Sequence, residues 1–455
     1  MFYISEKANP NYLAKFVEIS NIRKHPNADR LQVSTIDGND VITGTDIKVG
    51  DFVVYFPLEC AISKDFLSAT NSFEDKELNF EKDKKGFFNS KGRVRAVKLR
   101  GQPSMGYIVP VSVFFDWINA ITASSTYIFS PSKDLNVEFD RFKSGDKDYF
   151  VCKKYVNKQE KIDKNKEKQV NQKYKAKKVE KLIDNQFRLH CDTPQFGKNL
   201  FKFSPEDVIS ITHKLHGTSG VFSKVLCKKK LTWYQKLFKK VGIDIQDTHY
   251  DSVYSSRKVI KNKNYSDKEV TGGFYGEDIW GVVAKELDPF IEQGMTLYCE
   301  IVGYLESGKM VQPKYDYGCK EGEHDVYVYR ITTTMPNGTV YEWSTPQITE
   351  WCNKKGIKHV PLYYHGKAED LFPSLNTEAH WQDDFLIKMK ETYLEKMDPI
   401  CTNQVPDEGI CIRREGLEID TYKLKSFAFL QYESAELDAG TVDIESQQSE
   451  ETVTN

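Results

Sequence analysis

No two of the nine cysteines stand in a C-x-x-C arrangement, and their total is odd. That excludes a paired disulfide framework and the common zinc-ribbon sites, and leaves reduced thiols in a cytosol-like compartment as the expectation. No apolar run approaches the ~20 residues that a bilayer-spanning helix needs. The opening MFYISEKANP lacks the apolar segment of a secretory signal. A cytoplasmic location with no membrane partner is therefore expected. An excess of either charge is missing too. There are 64 Lys plus Arg against 66 Asp plus Glu, a net charge of -2, so no overall basic surplus marks a nucleic-acid binder. Positive charge is local, concentrated near 91–100 and 150–182, and the C-terminal end is acidic. No internal repeat is visible.

What is present exceeds one typical core: 455 residues predict two domains. Short apolar runs recur over 12–60, among them Phe16, Val17, Ile19, then Leu31, Val33, Ile36, then Val53, Val54, Tyr55, Phe56. Turn signals such as Asp37-Gly38 and Gly50-Asp51 separate them, which predicts a small β-barrel or sandwich over 1–150. A polar insertion at 68–90 precedes a further strand-like run from Lys91 to Val109. Residues 151–185 read as a Lys-rich linker. From 186 to 432, strand-like segments at 207–213, 218–227, 295–304, 325–331, 409–414 and 421–425 are interspersed with helical patterns at 277–293, 345–355 and 379–397. That mixture predicts an α+β domain. Ser344-Thr345-Pro346 reads as a cap followed by a first helical turn. The remainder, 433–455, is rich in Ser, Glu, Gln and Thr and is expected to be a disordered acidic tail.

The chemistry concentrates in Ile211-Thr212-His213-Lys214-Leu215-His216-Gly217-Thr218-Ser219. A strand-like run ends at a lysine, and the glycine three residues on permits close backbone approach to a phosphate, with Thr218 and Ser219 as donors. Further on, Arg257 follows Ser255-Ser256. Glu300 interrupts an apolar strand, where an unpaired carboxylate would be costly. Tyr327 and Tyr329 alternate, so both face one side of their strand. Glu408-Gly409 opens the run Ile410-Cys411-Ile412-Arg413, and Lys423 and Lys425 project from one strand face. His213 and His216 have no matching Cys or Asp pair, so a zinc site is not expected there.

This ordered set resembles the six motifs of the covalent nucleotidyltransferase superfamily, to which DNA ligases, RNA ligases and mRNA capping enzymes belong. The resemblance implies that Lys214 attacks the α-phosphorus of ATP and carries AMP as a phosphoramidate. Free lysine titrates near ~10.4, so its amine must be made neutral, and Lys423 and Lys425 would supply positive charge beside it and beside the phosphate. Glu408 would hold Mg²⁺ or Mn²⁺ or its waters. Glu300 would bind the ribose, Arg257 the ribose or an end phosphate, and an aromatic of 325–331, Tyr329 in preference to Tyr327, would stack on adenine. His216 and Gly217 complete the expected ATP-binding set.

Within the superfamily, Lys214-Leu215-His216-Gly217 departs from the common K-x-D-G, and Arg330 stands where many relatives carry an acid. Thirty residues follow Lys425, too few for the C-terminal OB domain of DNA ligases and capping enzymes. The K-x-H-G-T-S form with its extra mass before the nucleophile resembles the fifth family of ATP-dependent RNA ligases. That family pairs an N-terminal OB-like barrel with a C-terminal adenylyltransferase domain and is associated with nicks whose 3′-OH strand is RNA. Phe187 to Asn199 is similar to that family's lead-in to the nucleophile strand, and His25-Pro26-Asn27-Ala28-Asp29-Arg30 is similar to tRNA-binding OB domains. In the run from Lys91, strand alternation puts Lys91, Arg93 and Arg95 on one face, suited to phosphates of an RNA 3′-OH strand or nicked duplex. An mRNA guanylyltransferase-like enzyme and a non-catalytic OB-domain RNA-binding protein remain as alternatives.

Overall fold

The computed structural model describes residues 1–123, 127–157, 182–257, 259–261, 275–375 and 380–440. The chain forms two compact units. The first comprises Met1–Val156, Pro194–Phe201 and Phe427–Ala439, and the second is built around Lys202–Ser426. Two features differ from the expected division. The stretch before strand Val208–His213 contributes Pro194–Phe201 to the first unit, and the expected tail from 433 begins inside a helix, Phe427–Ala439. The Lys-rich stretch 158–181 and the end 441–455 lie outside the described residues.

In the first unit, strand Phe52–Pro57 sits inside an antiparallel sheet ordered Gly106–Pro110, Phe52–Pro57, Ala14–Glu18, Glu138–Phe139. Its apolar residues do not alternate with polar ones because both sheet faces are covered. Val53 and Tyr55 turn to one core with Ile19, Ile36, Val41 and Ile108. Val54 and Phe56 turn to the other, with Phe16, Phe66, Phe114 and Phe139. Helix Val111–Thr122 closes this second core by burying Phe114, Phe115, Trp117 and Ile118. Strands Leu31–Ile36 and Asn39–Gly44 form a hairpin whose two turn residues, Asp37 and Gly38, have φ of 48° and 76°. Positive φ at both positions is what a tight primed turn requires, and Asp-Gly tolerates it.

The expected row of Lys91, Arg93 and Arg95 is corrected here. The side chain of Arg93 is buried, donating from Nη1 to Glu59 Oε2 at 2.8 Å and from Nη2 to the Ser434 carbonyl at 2.8 Å, with Asp438 Oδ1 at 2.9 Å. The guanidinium also lies over the Tyr155 ring, 5.2 Å from its centroid. Lys91 and Arg95 reach the same Asp438, at 4.0 and 3.4 Å. Helix Phe427–Ala439 therefore covers Arg93 and supplies a counter-charge to all three, while the Lys91 and Arg95 side chains stay 32% exposed. An Arg93→Ala variant should lose about 3–5 kcal/mol of stability, because Glu59 keeps its burial and loses its cation. Urea denaturation measures this, and an unchanged midpoint would show the pair to be dispensable.

The second unit holds two antiparallel sheets. One is ordered Ile260–Lys261, Thr248–Ser256, Thr218–Lys228, Met295–Gly303, His324–Thr334, Val340–Glu342. The other is ordered Leu362–Lys367, Val208–His213, Gly409–Arg414, Thr421–Lys425. All nine residues of Met295–Gly303 are buried. Leu297, Cys299 and Ile301 pack with helices Ile279–Leu287 and Thr345–Lys355, through Trp280, Val283, Ile348 and Cys352. Tyr298 and Glu300 consequently point to the opposite face. Ser344 caps the second helix in a reciprocal capping box with Gln347, and Gly356 ends it at φ 68°.

Candidate active site

Strand Val208–His213 places its end beside the Glu408-Gly409 pair. Ile209, Ile211 and His213 share the buried face, and the amide of Lys214 donates to the Gly409 carbonyl at 3.0 Å. Gly409 has φ 131°, and a Cβ on it would meet the Leu424 carbonyl oxygen at 2.2 Å. Only glycine lets the neighbouring strand approach so closely. The register Gly409↔Lys425 and Cys411↔Lys423 then brings both lysines of the last strand alongside.

The outcome is one buried carboxylate between two ammonium groups. Glu408 Oε1 lies 2.8 Å from Lys214 Nζ and 3.1 Å from Lys425 Nζ, and Glu408 is 2% exposed. Lys423 pairs in register with Cys411 on the adjacent strand. Burial pushes the Cys411 thiol up to about 11, against the opposing pull of the Lys214 and Lys423 charges. His216 Nδ1 is 3.9 Å from Glu408 Oε2, its ring meets Tyr315 edge-on, and its amide donates to the Tyr317 hydroxyl at 2.6 Å.

Glu300 ties the loop after Lys214 to the six-stranded sheet. Its Oε1 accepts from the Gly217 amide at 3.0 Å, and its Oε2 from Ser219 Oγ at 3.3 Å. A Cβ at Gly217 would sit 2.3 Å from the Ile301 carbonyl oxygen. The glycine thus answers a close approach to this chain's own backbone, where the motif predicts approach to a phosphate. Arg257 follows Ser256, which pairs with Gly220, and its guanidinium Nη2 is 2.7 Å from Asp192 Oδ1. The Tyr329 hydroxyl lies 2.8 Å from His190 Nδ1. Burial first, and the Glu300 charge next, push the Tyr329 phenol well above its ordinary range. Arg330, the departure from the acidic residue of many relatives, lies over the Tyr298 ring at 4.1 Å and pairs with Glu342 through two nitrogens.

The structure therefore gathers Lys214, His216, Gly217, Glu300, Glu408, Lys423 and Lys425 where the two sheets of the second unit meet. Arg257 and Tyr329 join through the Ser219 end of strand Thr218–Lys228. Lys91, Arg93 and Arg95 belong to the first unit. His213 and His216 do not form a pair: the first turns into the core, the second toward Glu408.

One buried cluster went unread in the sequence. His213 Nε2 lies 2.9 Å from Asp407 Oδ1 and 3.4 Å from Asp398 Oδ2. Asp407 Oδ1 also accepts from the Gly409 amide at 2.9 Å, and Asp398 Oδ1 from the amides of Ile400 and Cys401. The cluster thus braces the Glu408-Gly409 turn from behind. Its signal was available, since period-2 alternation puts a histidine in phase with Ile209 and Ile211 and so in the core.

Burial disfavours the charged imidazole, but the Asp407 and Asp398 carboxylates beside Nε2 outweigh it and raise His213 to about 9. Burial likewise opposes the Asp398 carboxylate, and the neighbouring His213 together with the Cys401 and Ile400 amides overcomes it, holding Asp398 below the usual range. A histidine pKa raised by folding contributes stability that is complete below its unfolded value of ~6.5. That contribution is lost as pH rises through about 9. Thermal unfolding should show a fall in Tm across that window, and His213→Gln should flatten it.

Residues 207–425 match the family model for RNA ligase, and residues 13–111 match a model for an OB-fold domain. The chain carries an RNA ligase domain. It is joined to an N-terminal OB fold in a mixed α and β architecture, and the enzyme class is RNA ligase. The arrangement of this RNA ligase is similar to solved structures of the Naegleria gruberi RNA ligase. One, a lysine-to-alanine mutant with ATP and Mn, has a TM-score of 0.52 at 14% identity, over 92% of this chain and 98% of that one. A second, with PPi, has a TM-score of 0.51 at 14% identity, over 93% and 99%. A third, a glutamate-to-alanine mutant with AMP and Mn, has a TM-score of 0.51 at 15% identity, over 92% and 98%. At this identity the likeness speaks for the fold. No curated protein matches the chain significantly. Among the described residues, no helix is long and apolar enough to cross a membrane.

Proposed function

We propose that this RNA ligase joins an RNA 3′-OH to a 5′-phosphate with ATP as donor, through a lysyl-AMP intermediate on Lys214, and that it seals nicks in duplexes. The observation that carries this reading is the single buried carboxylate of Glu408 held between Lys214 and Lys425. A surface lysine needs no such setting, and two ammonium groups about one buried carboxylate are costly to assemble without a use for them.

In the first step, Lys214 Nζ attacks the α-phosphorus of ATP, forming the N–P bond as pyrophosphate leaves. In the second, a 5′-phosphate oxygen attacks the same phosphorus, and Lys214 departs. In the third, the 3′-OH attacks the activated 5′-phosphate, forming the phosphodiester and expelling AMP. Negative charge grows on phosphate oxygens each time, and Lys423 and Lys425 are placed to offset it. Glu300, already fixed on the Gly217 amide, presents a carboxylate edge for the ribose. Tyr329 and Arg257 border the same loop.

The donor set also fits a divalent cation. Mg²⁺ and Mn²⁺ prefer carboxylate oxygen and retain several waters, so one or two carboxylates suffice. Glu408 would hold the ion, which when bound supplies positive charge at the phosphates. Incubation with α-labelled ATP and Mg²⁺ or Mn²⁺, followed by a denaturing gel, tests the reading. A labelled protein band is expected with ATP and not with GTP, and absence of any band overturns it. Comparing a nick that ends in an RNA 3′-OH with one that ends in DNA tests the substrate, and equal sealing removes the strand preference.

A further inference from the structure

Strands Thr218–Lys228 and Thr248–Ser256 are not joined by a tight turn. The connection between them carries a helix, Trp233–Lys240, that the ligase chemistry does not use. Thr232 starts it with a capping box to Gln235. At 100° per residue, Trp233, Tyr234, Leu237, Phe238 and Val241 fall within one arc of about 140°, and Gln235, Lys236, Lys239 and Lys240 take the rest. In a core-facing helix such an apolar arc would be buried. Here it is open: Trp233 is 77% exposed, Leu237 51% and Val241 66%. Residues 228–243 contain six lysines and no acidic residue. Lys239 pairs with Asp247, while Lys228, Lys229, Lys230, Lys236 and Lys240 are exposed.

We propose that helix Trp233–Lys240 seats its apolar face in the interfacial layer of an anionic lipid surface. An amphipathic helix lies in that layer when a strongly apolar face adjoins lysines that can reach headgroup phosphates. Trp and Tyr suit the boundary, having an apolar ring and a polar tip. The charge is complementary and local, in a chain whose net charge is only -2. A single-stranded RNA fits less well. Bases stack on aromatic rings, but Leu237 and Val241 share the face with Trp233, and the helix lysines stand on the opposite side. No spanning segment is needed, so the expectation of no membrane partner, which rested on the lack of a long apolar run, does not bear on this helix.

The test uses the full chain with vesicles of phosphatidylcholine alone or doped with phosphatidylserine. Trp233 is the one exposed tryptophan of the six, so aqueous quenching of tryptophan fluorescence reports chiefly on it. Doped vesicles should sediment the protein and shield Trp233, and neutral vesicles should do neither. Each of Lys228→Ser, Lys229→Ser and Lys230→Ser should weaken binding roughly fivefold. Leu237→Ser with Phe238→Ser should abolish shielding while the thermal melt and lysine labelling by ATP stay unchanged. Three results overturn the proposal: equal binding to both vesicle types or to neither, shielding of Trp233 by an RNA oligonucleotide and not by vesicles, or shielding that tracks protein concentration alone.

Discussion

Lys214→Ala takes up no label from α-labelled ATP and seals no 5′-phosphate nick, a loss on the order of 10⁴-fold or more, yet it still seals a nick supplied with a pre-adenylylated 5′ end. The first half follows because Lys425, the other lysine on Glu408, cannot take its place. Lys425 contacts the same Glu408 oxygen, but from the neighbouring strand Thr421–Lys425. An in-line attack tolerates a displacement of about 1 Å poorly, costing roughly 10²-fold. The second half follows from the bond changes. Once AMP is on the RNA end, the nucleophile is the 3′-OH and the leaving group is AMP, so Lys214 has no bond to make. Failure of the variant on the pre-adenylylated nick would mean that Lys214 also holds the site together, and a labelled band from the variant would remove it as the carrier. Lys214→Arg separates these roles, because it keeps a cation beside Glu408 and lacks a usable nucleophile.

How far the site could be read in advance depended on whether its residues sit on regular strands. Lys214, Glu300, Glu408, Lys423 and Lys425 all do, or directly adjoin one, so spacing alone set which side chains share a face. Tyr329 shows where that rule strains. Val328 pairs with Cys299 and Arg330 with Tyr298, which leaves Tyr329 as an extra residue at a bulge. Val328 and Ile331 both enter the core beneath the helices, three positions apart, a spacing that strict alternation forbids. The tyrosine's neighbours could not be counted from the strand pattern. His213 was legible and unused, because a histidine beside a candidate catalytic lysine invites a surface role while its phase with Ile209 and Ile211 says core.

The basic row failed for a different reason. Nothing in the run Lys91 to Arg100 announces a partner, and the partner is helix Phe427–Ala439, more than 300 residues later in sequence. That helix has little apolar periodicity: it buries Phe427, Phe429, Ser434 and Leu437, and its acidic character reads as a solvated tail. Its stability comes from tertiary contacts such as Ser434 and Asp438 against Arg93, which no local pattern records. The linker stretch 158–181 and the last fifteen residues fall outside the described residues.

Glu408→Gln is the sharper test of the chemistry, because it should fail where Lys214→Ala succeeds. The substitution keeps the shape of a side chain that is 2% exposed and removes only its charge. With the carboxylate neutralised, Lys214 and Lys425, now 2.8 and 3.1 Å from the shared oxygen, face each other as like charges. Lys214 loses the contact that aims it. The hard oxygen ligand for a divalent cation is lost as well, since an amide is a poor substitute for a carboxylate. Both effects apply whenever phosphate charge builds, so lysyl-AMP formation, transfer to the RNA end and sealing of a pre-adenylylated nick should each fall roughly 10²–10³-fold. The His213 cluster should keep the variant folded, as Asp407 continues to accept from the Gly409 amide. If Glu408→Gln blocked adenylation alone and sealed the pre-adenylylated nick at the normal rate, Glu408 would serve only to orient Lys214. The charge-stabilising role across all three steps would then pass to Lys423 and Lys425.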